Sequence, residues 1–193
     1  MIRWLFPKFT FLNRGNHETS DMNKVYGFEG ETKKKYSELT YRLFEEVFCA
    51  LPLATLVSST QAPQPSAMKS LFSLRREVPA PVLGPNGTKR YLVLHGGIFS
   101  KDEFGLNDIR KLDRSKTKQP NGDTPMGEML WADPQEANGR GPSKRGVGLA
   151  FGPDVTRRFA EKNGVTAIIR SHEVRQEGYS IEHDGLCHTV FSA

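Results

Sequence analysis

The chain has 193 residues, 37% hydrophobic and 25% charged, a balance that excludes a disordered polymer and allows one domain with a sizeable core. Its net charge of +5 is scattered in short runs at 33–35, 75–76 and 157–158; such runs read as solvated faces and argue against a nucleic-acid or membrane-surface partner. No stretch nears the roughly 18 apolar residues of a membrane span, Pro7 cuts the opening apolar patch short of a secretory leader, and Cys49 and Cys187 fit neither a disulfide framework nor a zinc spacing, so the expectation is an intracellular protein, cytoplasmic and/or nuclear.

From the amino terminus, "KFTFL" (8–12) alternates and is rich in β-formers, so a strand is expected to run into "LNRGNHE" (12–18). Residues 31–48 place Tyr36, Leu39, Leu43, Phe44, Val47 and Phe48 on one helical face, with Pro52 just past the end. Residues 58–88 hold five prolines among Ser, Gln and Gly and read as a flexible loop or inserted linker. "RYLVLHGG" (90–97) is a buried strand entering a glycine turn, 106–112 a short helix, and 116–125 a turn-rich loop. Residues 152–164 form a helix with Pro153 in its first turn and Gly164 as its stop. "TAIIRSHE" (166–173) is a further strand, and 178–192 a hairpin turning at Asp184-Gly185.

Three of these runs stop at a histidine-bearing loop: Asn16-His17-Glu18, His95-Gly96-Gly97 and Ser171-His172-Glu173. In α/β sheets, ligands gather outside the carboxyl ends of strands. Imidazole and amide oxygen together suit a transition-metal ion, so Asn16, His95 and His172 can form three corners of one metal site. The alternative for each histidine is a hydrogen-bonded structural role. In an extended loop His17 points away from Asn16, which suits proton transfer rather than ligation. His183 and His188 belong to the hairpin and read as structural or solvated. In "SKRGVGLAFG" (143–152) Arg145 offers a planar fork for phosphate oxygens, although by itself a surface arginine is the plainer reading.

"LNRGNHE", "LVLHGG", "MLWADP", "SKRGVGLAFG", "IIRSHEV" and "TVFSA" follow one another in the order seen in the PPP family of metal-dependent serine/threonine protein phosphatases, and the chain resembles that family outside about 58–88. "DMNKVYGFEGE" (21–31), "FGPDVTRRF" and "IRSHEVRQEGY" (169–179) look most like its protein phosphatase 5 branch. The resemblance implies an α/β metallophosphoesterase-type sandwich of two mixed β-sheets flanked by helices. It implies hydrolysis of phosphoserine and phosphothreonine in phosphorylated proteins, with two divalent ions among Mn, Fe, Zn and Mg. Matched by motif, Asn16, His95 and His172 are ligands of the second ion, His17 is the general acid, and Arg145 binds phosphate. Trp131 and Asp133 of "LWADP" lie near the site, as structural residues or as supports behind the ligands.

The family's GDxHG and GDxVDRG motifs, which bring the first ion's ligands, the bridging Asp, a second phosphate-binding Arg and the Asp that orients the general acid, do not occur in these residues. Nor does the Pro-Asn-Tyr segment that follows "TVFSA", nor the tetratricopeptide repeats of the phosphatase 5 branch. The expectation is an incomplete sandwich over 1–193, lacking its first βα units and its C-terminal end, with 58–88 inserted. It would retain ligands for one ion, have exposed apolar edge surface, and show little or no activity by itself. Two other readings stand beside this one: a non-catalytic phosphatase-like interaction module, and a nucleic-acid binder resting on charge alone.

Overall fold

The computed structural model describes residues 2–59 and 81–192. In chain order the elements are α1 (Ile2–Leu5), α2 (Ser20–Val25), α3 (Phe28–Lys35), α4 (Glu38–Ala50), β1 (Ala54–Ser58), β2 (Arg90–Leu94), α5 (Leu106–Lys111), α6 (Pro125–Trp131), β3 (Asp133–Pro134), β4 (Arg140–Pro142), β5 (Leu149–Phe151), α7 (Pro153–Asn163), β6 (Ala167–Arg170), β7 (Tyr179–Glu182) and β8 (Cys187–Val190). Five strands form one sheet in the order β1-β2-β6-β8-β7, and three form another in the order β3-β5-β4. Both are mixed: β2-β6-β8 and β3-β5 run parallel, while β1, β7 and β4 are antiparallel to their neighbours.

One apolar cluster joins the two sheets. Leu92 and Leu94 of β2, Ile168 of β6 and Phe151 of β5 meet Met129 and Leu130 of α6 and Val155 and Phe159 of α7. Each such side chain taken fully from water contributes about 1.5–3 kcal/mol. Helix α7 follows its expected pattern: Pro153 sits in its first turn, and Gly164 takes the left-handed φ of +58° that ends it. The hairpin also turns where expected, with Asp184 and Gly185 at positive φ and Glu182 opposite Cys187.

Two expectations are corrected. "KFTFL" is not a strand: Phe9 and Thr10 donate to Phe6 O in a turn following Pro7, and Phe9, Phe11 and Leu12 are exposed. A β-rich alternation with no ladder partner has nothing to hold it extended. The single helix over 31–48 is two. Tyr36 leaves helical geometry (φ −130°, ψ −94°), and Ser37 Oγ accepts the Thr40 N–H at 3.1 Å to start α4 afresh. Its apolar face does not enter the core: Leu39, Leu43 and Val47 are 67%, 52% and 56% exposed, while Tyr41, on another face, is buried. Phe44 and Phe48 pack against Phe28 of α3 instead.

The stretch read as a linker has ordered ends. Ser58 closes β1, Ser59 N–H donates to Lys89 O at 2.9 Å, and Gly84 N–H donates to Thr88 O at 2.8 Å around a single tight turn. The remainder, 60–80, lies outside the described residues. Among the described residues no helix is long and apolar enough to cross a membrane.

Candidate metal and phosphate site

β2 and β6 are parallel neighbours, with Leu92 opposite Ile168, so their carboxyl ends open on one edge. His95 directly follows β2, and His172 lies two residues past β6. Ser171 N–H donates to His95 O at 3.0 Å, and the two imidazole centroids are 5.1 Å apart. The third contributor comes off no strand. Residues 10–15 are pinned by Arg14 N–H to Pro52 O (2.8 Å), Asn13 Nδ2 to Val93 O (3.1 Å) and Thr55 Oγ1 to Asn13 Oδ1 (2.8 Å). Gly15 permits the approach: a Cβ there would stand 2.7 Å from Glu18 Oε2 and 3.1 Å from the His95 ring.

Asn16 is thereby placed between the imidazoles. His95 Nε2 donates to Asn16 Oδ1 at 2.9 Å, and Asn16 Nδ2 donates to His172 Nε2 at 3.1 Å. The opposite nitrogen of His172, Nδ1, donates to Asp133 Oδ1 at 3.0 Å, which assigns its proton to Nδ1. His172 holds a left-handed φ of +73°, a conformation that costs about 1–3 kcal/mol in a non-glycine residue. Arg145 steadies it by donating from Nη2 to the His172 carbonyl at 2.9 Å. Trp131 makes a T-shaped contact with the same imidazole, centroid to centroid 5.6 Å.

Asp133 is the hub. Its Oδ2 accepts from Arg145 Nε at 2.6 Å, and its Oδ1 accepts from Arg170 Nη2 at 2.6 Å besides His172. Burial alone would raise this carboxyl, but the bonds from His172 and Arg145 and the nearby positive charge outweigh it and hold it well below the usual carboxylate range. Burial, reinforced by His172 and Arg170, pushes His95 down to about 3, so it is neutral at ordinary pH.

The structure thus joins Asn16, His95 and His172 in direct contact and ties Arg145 to them through Asp133. His17 stands apart: its exposed imidazole rests on Tyr26, 4.5 Å between centroids, and makes no hydrogen bond among the described residues. Two imidazoles and an amide oxygen fit one borderline cation, and a carboxylate behind a ligating histidine is the usual support. Among the described residues no group of three or more His, Cys, Asp and Glu side chains is placed to hold an ion, so the donor set is mixed and neutral. The sequence had placed Asp133 near the site as a structural residue or a support behind the ligands, and only Arg170 was passed over; the available signal was a charged residue embedded in an apolar run, "AIIR".

Two imidazoles past the ends of parallel strands, met there by an amide and a guanidinium from two other loops, define a class of site able to hold a cation beside an oxyanion. Residues 1–176 match the family described as calcineurin-like phosphoesterase, and the chain belongs to that family. It is 58% identical over 191 residues to serine/threonine-protein phosphatase T of Aspergillus oryzae, covering 99% of this chain and 34% of that protein. It is 47% identical over 192 residues to human serine/threonine-protein phosphatase 5, covering 100% of this chain and 32% of that one. A solved protein serine/threonine phosphatase from Saccharomyces cerevisiae, described as similar to human PP5, superposes with a TM-score of 0.78 at 43% identity, over 100% of this chain and 50% of that one. The chain therefore spans about a third of the length of the curated relatives it matches.

Proposed function

We propose that the chain contributes to a metal-dependent phosphatase acting on phosphoserine and phosphothreonine in proteins. In this reading Asn16, His95 and His172 hold a divalent cation, Arg145 holds phosphate oxygens, and His17 is the general acid. The identity of the ion, among Mn, Fe, Zn and Mg, and the number of ions in the whole protein belong to the same proposal; the imidazoles favour Fe and Zn, and the amide oxygen suits Mn and Mg. When bound, the cation supplies positive charge to the phosphate oxygens and lowers the pKa of the attacking water.

The chain's own groups do the rest. Asp133 keeps the Nδ1 proton of His172 in place, leaving Nε2 to face the ion. Arg145 uses Nε and Nη2 on Asp133 and the His172 carbonyl, which leaves Nη1 to meet a phosphate oxygen in fixed orientation. His17, exposed on the loop that carries Asn16, gives its proton to the departing seryl or threonyl oxygen. The observation that carries the proposal is the Asn16 amide bonded to both histidine Nε2 atoms, with Asp133 shared by His172 and Arg145 behind them.

The donor set is neutral, and divalent ions of this kind bind more tightly when carboxylates join. These 193 residues are therefore expected to bind manganese(II) weakly and turn over slowly. We read them as part of one catalytic domain with an insertion near 58–88 at the tip of the β1-β2 pair, in a cytoplasmic or nuclear protein. The test is hydrolysis of a phosphoserine peptide with manganese(II), with calorimetry of the ion. Slow, manganese-dependent turnover abolished in His172→Ala is expected. Residual turnover indifferent to His172→Ala, or no manganese binding, overturns the site; turnover equal to an intact relative overturns the expected weakness.

A further inference from the structure

Arg170 is the last residue of β6, and its side chain has no exposed surface. A buried guanidinium is tolerated only when its donors are met. Here Nε donates to Gly96 O at 2.6 Å, Nη1 to Glu173 Oε2 at 2.8 Å and Thr189 Oγ1 at 3.3 Å, and Nη2 to Asp133 Oδ1 at 2.6 Å and Ala132 O at 3.3 Å. The acceptors come from the loop after β2, the start of β3, the loop after β6, and β8. Gly96 adjoins His95, and Glu173 adjoins His172. Asp133 is the acceptor for both His172 Nδ1 and Arg145 Nε.

We propose that Arg170 is a positioning residue: by fixing the Asp133 carboxylate and both histidine loops at once, it sets the geometry between His172 and Arg145 and so couples cation binding to phosphate binding. The inference rests on the metal and phosphate reading given above. A guanidinium is required because its fork reaches Gly96 O, Glu173 and Asp133 in fixed directions. A lysine ammonium is a point charge on a flexible stem and meets one or two of them. With the fork gone, Asp133 is free to turn, His172 loses the acceptor that fixes its tautomer, and Arg145 moves with the carboxylate.

The test compares the 193-residue chain with its Arg170→Lys variant by three readouts. These are the His172 tautomer from long-range proton–nitrogen NMR, cobalt(II) affinity from visible absorption, and inorganic phosphate affinity with cobalt(II) present. Arg170→Lys is expected to move His172 from the Nδ1–H toward the Nε2–H form, weaken cobalt(II) by about 10–100-fold, and weaken phosphate with it. Arg145→Lys, which keeps a cation beside Asp133, is expected to weaken phosphate more than cobalt(II). A folded Arg170→Lys with a wild-type tautomer and unchanged cobalt(II) affinity overturns the proposal. Should Arg170→Lys fail to fold, Glu173→Gln loosens the fork while leaving Asp133 intact, and an intermediate shift in tautomer and both affinities is expected. Wild-type values in Glu173→Gln would then leave Arg170 a structural residue only and overturn the proposal. If the wild-type chain binds no cobalt(II), the metal reading fails, and the tautomer still decides the role of Arg170.

Discussion

Gly96 stands between β2 and the end of α6, and an alanine there tests how tightly the His95 loop is seated. Its Cβ would lie 2.6 Å from Leu130 C, 2.7 Å from Trp131 N and 2.9 Å from Leu130 O. Non-bonded heavy atoms pack best at about 3.5–4.0 Å, so the methyl overlaps its neighbours by roughly 1 Å. All three obstructing atoms are backbone, and Gly96 N–H already donates to Met129 O at 2.8 Å, so no rotamer change relieves the overlap. The loop or the helix end must shift, at about 1–3 kcal/mol for overpacking. For a chain of this size that lowers Tm by roughly 2–12 °C, at about 2–4 °C per kcal/mol. Gly30, inside α3, has open space around it, so Gly30→Ala should instead stabilise by about 0.5–1 kcal/mol. Urea unfolding followed by far-ultraviolet circular dichroism measures both. A Gly96→Ala midpoint within about 0.5 kcal/mol of wild type, or the same sign in both variants, refutes the close approach and the seating of His95 that depends on it.

His183 is buried with Nδ1 against Thr156 Oγ1 and Nε2 on Gln135 O. Burial lowers its pKa despite the upward pull of Gln135 O and nearby carboxylates, so the unfolded chain takes up this proton first. Stability is therefore complete above the unfolded value of about 6.5 and is lost as pH falls below it. His183→Gln should flatten the slope of urea stability between about pH 6.5 and 5 by up to about 1.4 kcal/mol per pH unit; an unchanged slope counts against the buried neutral imidazole, while His95 keeps part of the slope in the variant. Asn16→Asp places an anionic donor between His95 and His172 and should tighten cobalt(II) by about an order of magnitude; weaker binding in visible-absorption titrations would show that neutrality of the donors does not limit affinity. Leu43→Gln, on the exposed stripe of α4, should change stability by less than about 0.5 kcal/mol, and a loss above about 1 kcal/mol in the same urea assay would mean that this face packs.

Local signals in the sequence read well where local chemistry decides. Pro153 and Gly164 bound α7, and Asp184-Gly185 takes the positive φ its turn needs. Thr124-Pro125, a cap residue followed by proline at the first helical position, is an equally local start signal, overlooked inside a turn-rich stretch, and Thr124 Oγ1 does accept the Gly127 N–H of α6 at 3.1 Å. "KFTFL" misled because alternation records a preference for burial, while burial itself depends on what tertiary structure supplies; the apolar stripe of α4 stays exposed for the same reason. The candidate ligands were legible as chemistry, two imidazoles and an amide beside glycines. Their meeting was not, because it requires β2 and β6 to be parallel neighbours across 72 intervening residues (94 to 167). The partners of Asp133 and the whole role of Arg170 were hidden in the same way, since each acts through groups from other segments.

The charge arrangement at Asp133 has a consequence for how ligands of the proposed site affect one another. Arg145 and Arg170 both face this single carboxylate, and Arg170 also faces Glu173. Both carboxylates are already met by cations, Asp133 by Arg145 and Arg170 and Glu173 by Arg170, Arg175 and Lys144, beside imidazoles of which His95 is neutral at ordinary pH. A cation at Asn16, His95 and His172 therefore meets no compensating anion in its immediate surroundings, and a phosphate dianion at Arg145 meets only one free guanidinium edge. Each ligand supplies the charge the other lacks, at a range where low dielectric strengthens the attraction. Linkage makes the effect reciprocal: whatever factor phosphate adds to cobalt(II) affinity, cobalt(II) must add to phosphate affinity. Titrations run in both orders should return one factor greater than unity. A factor of one, or less, would mean that the two subsites are not adjacent in the sense the Asp133 bridge requires.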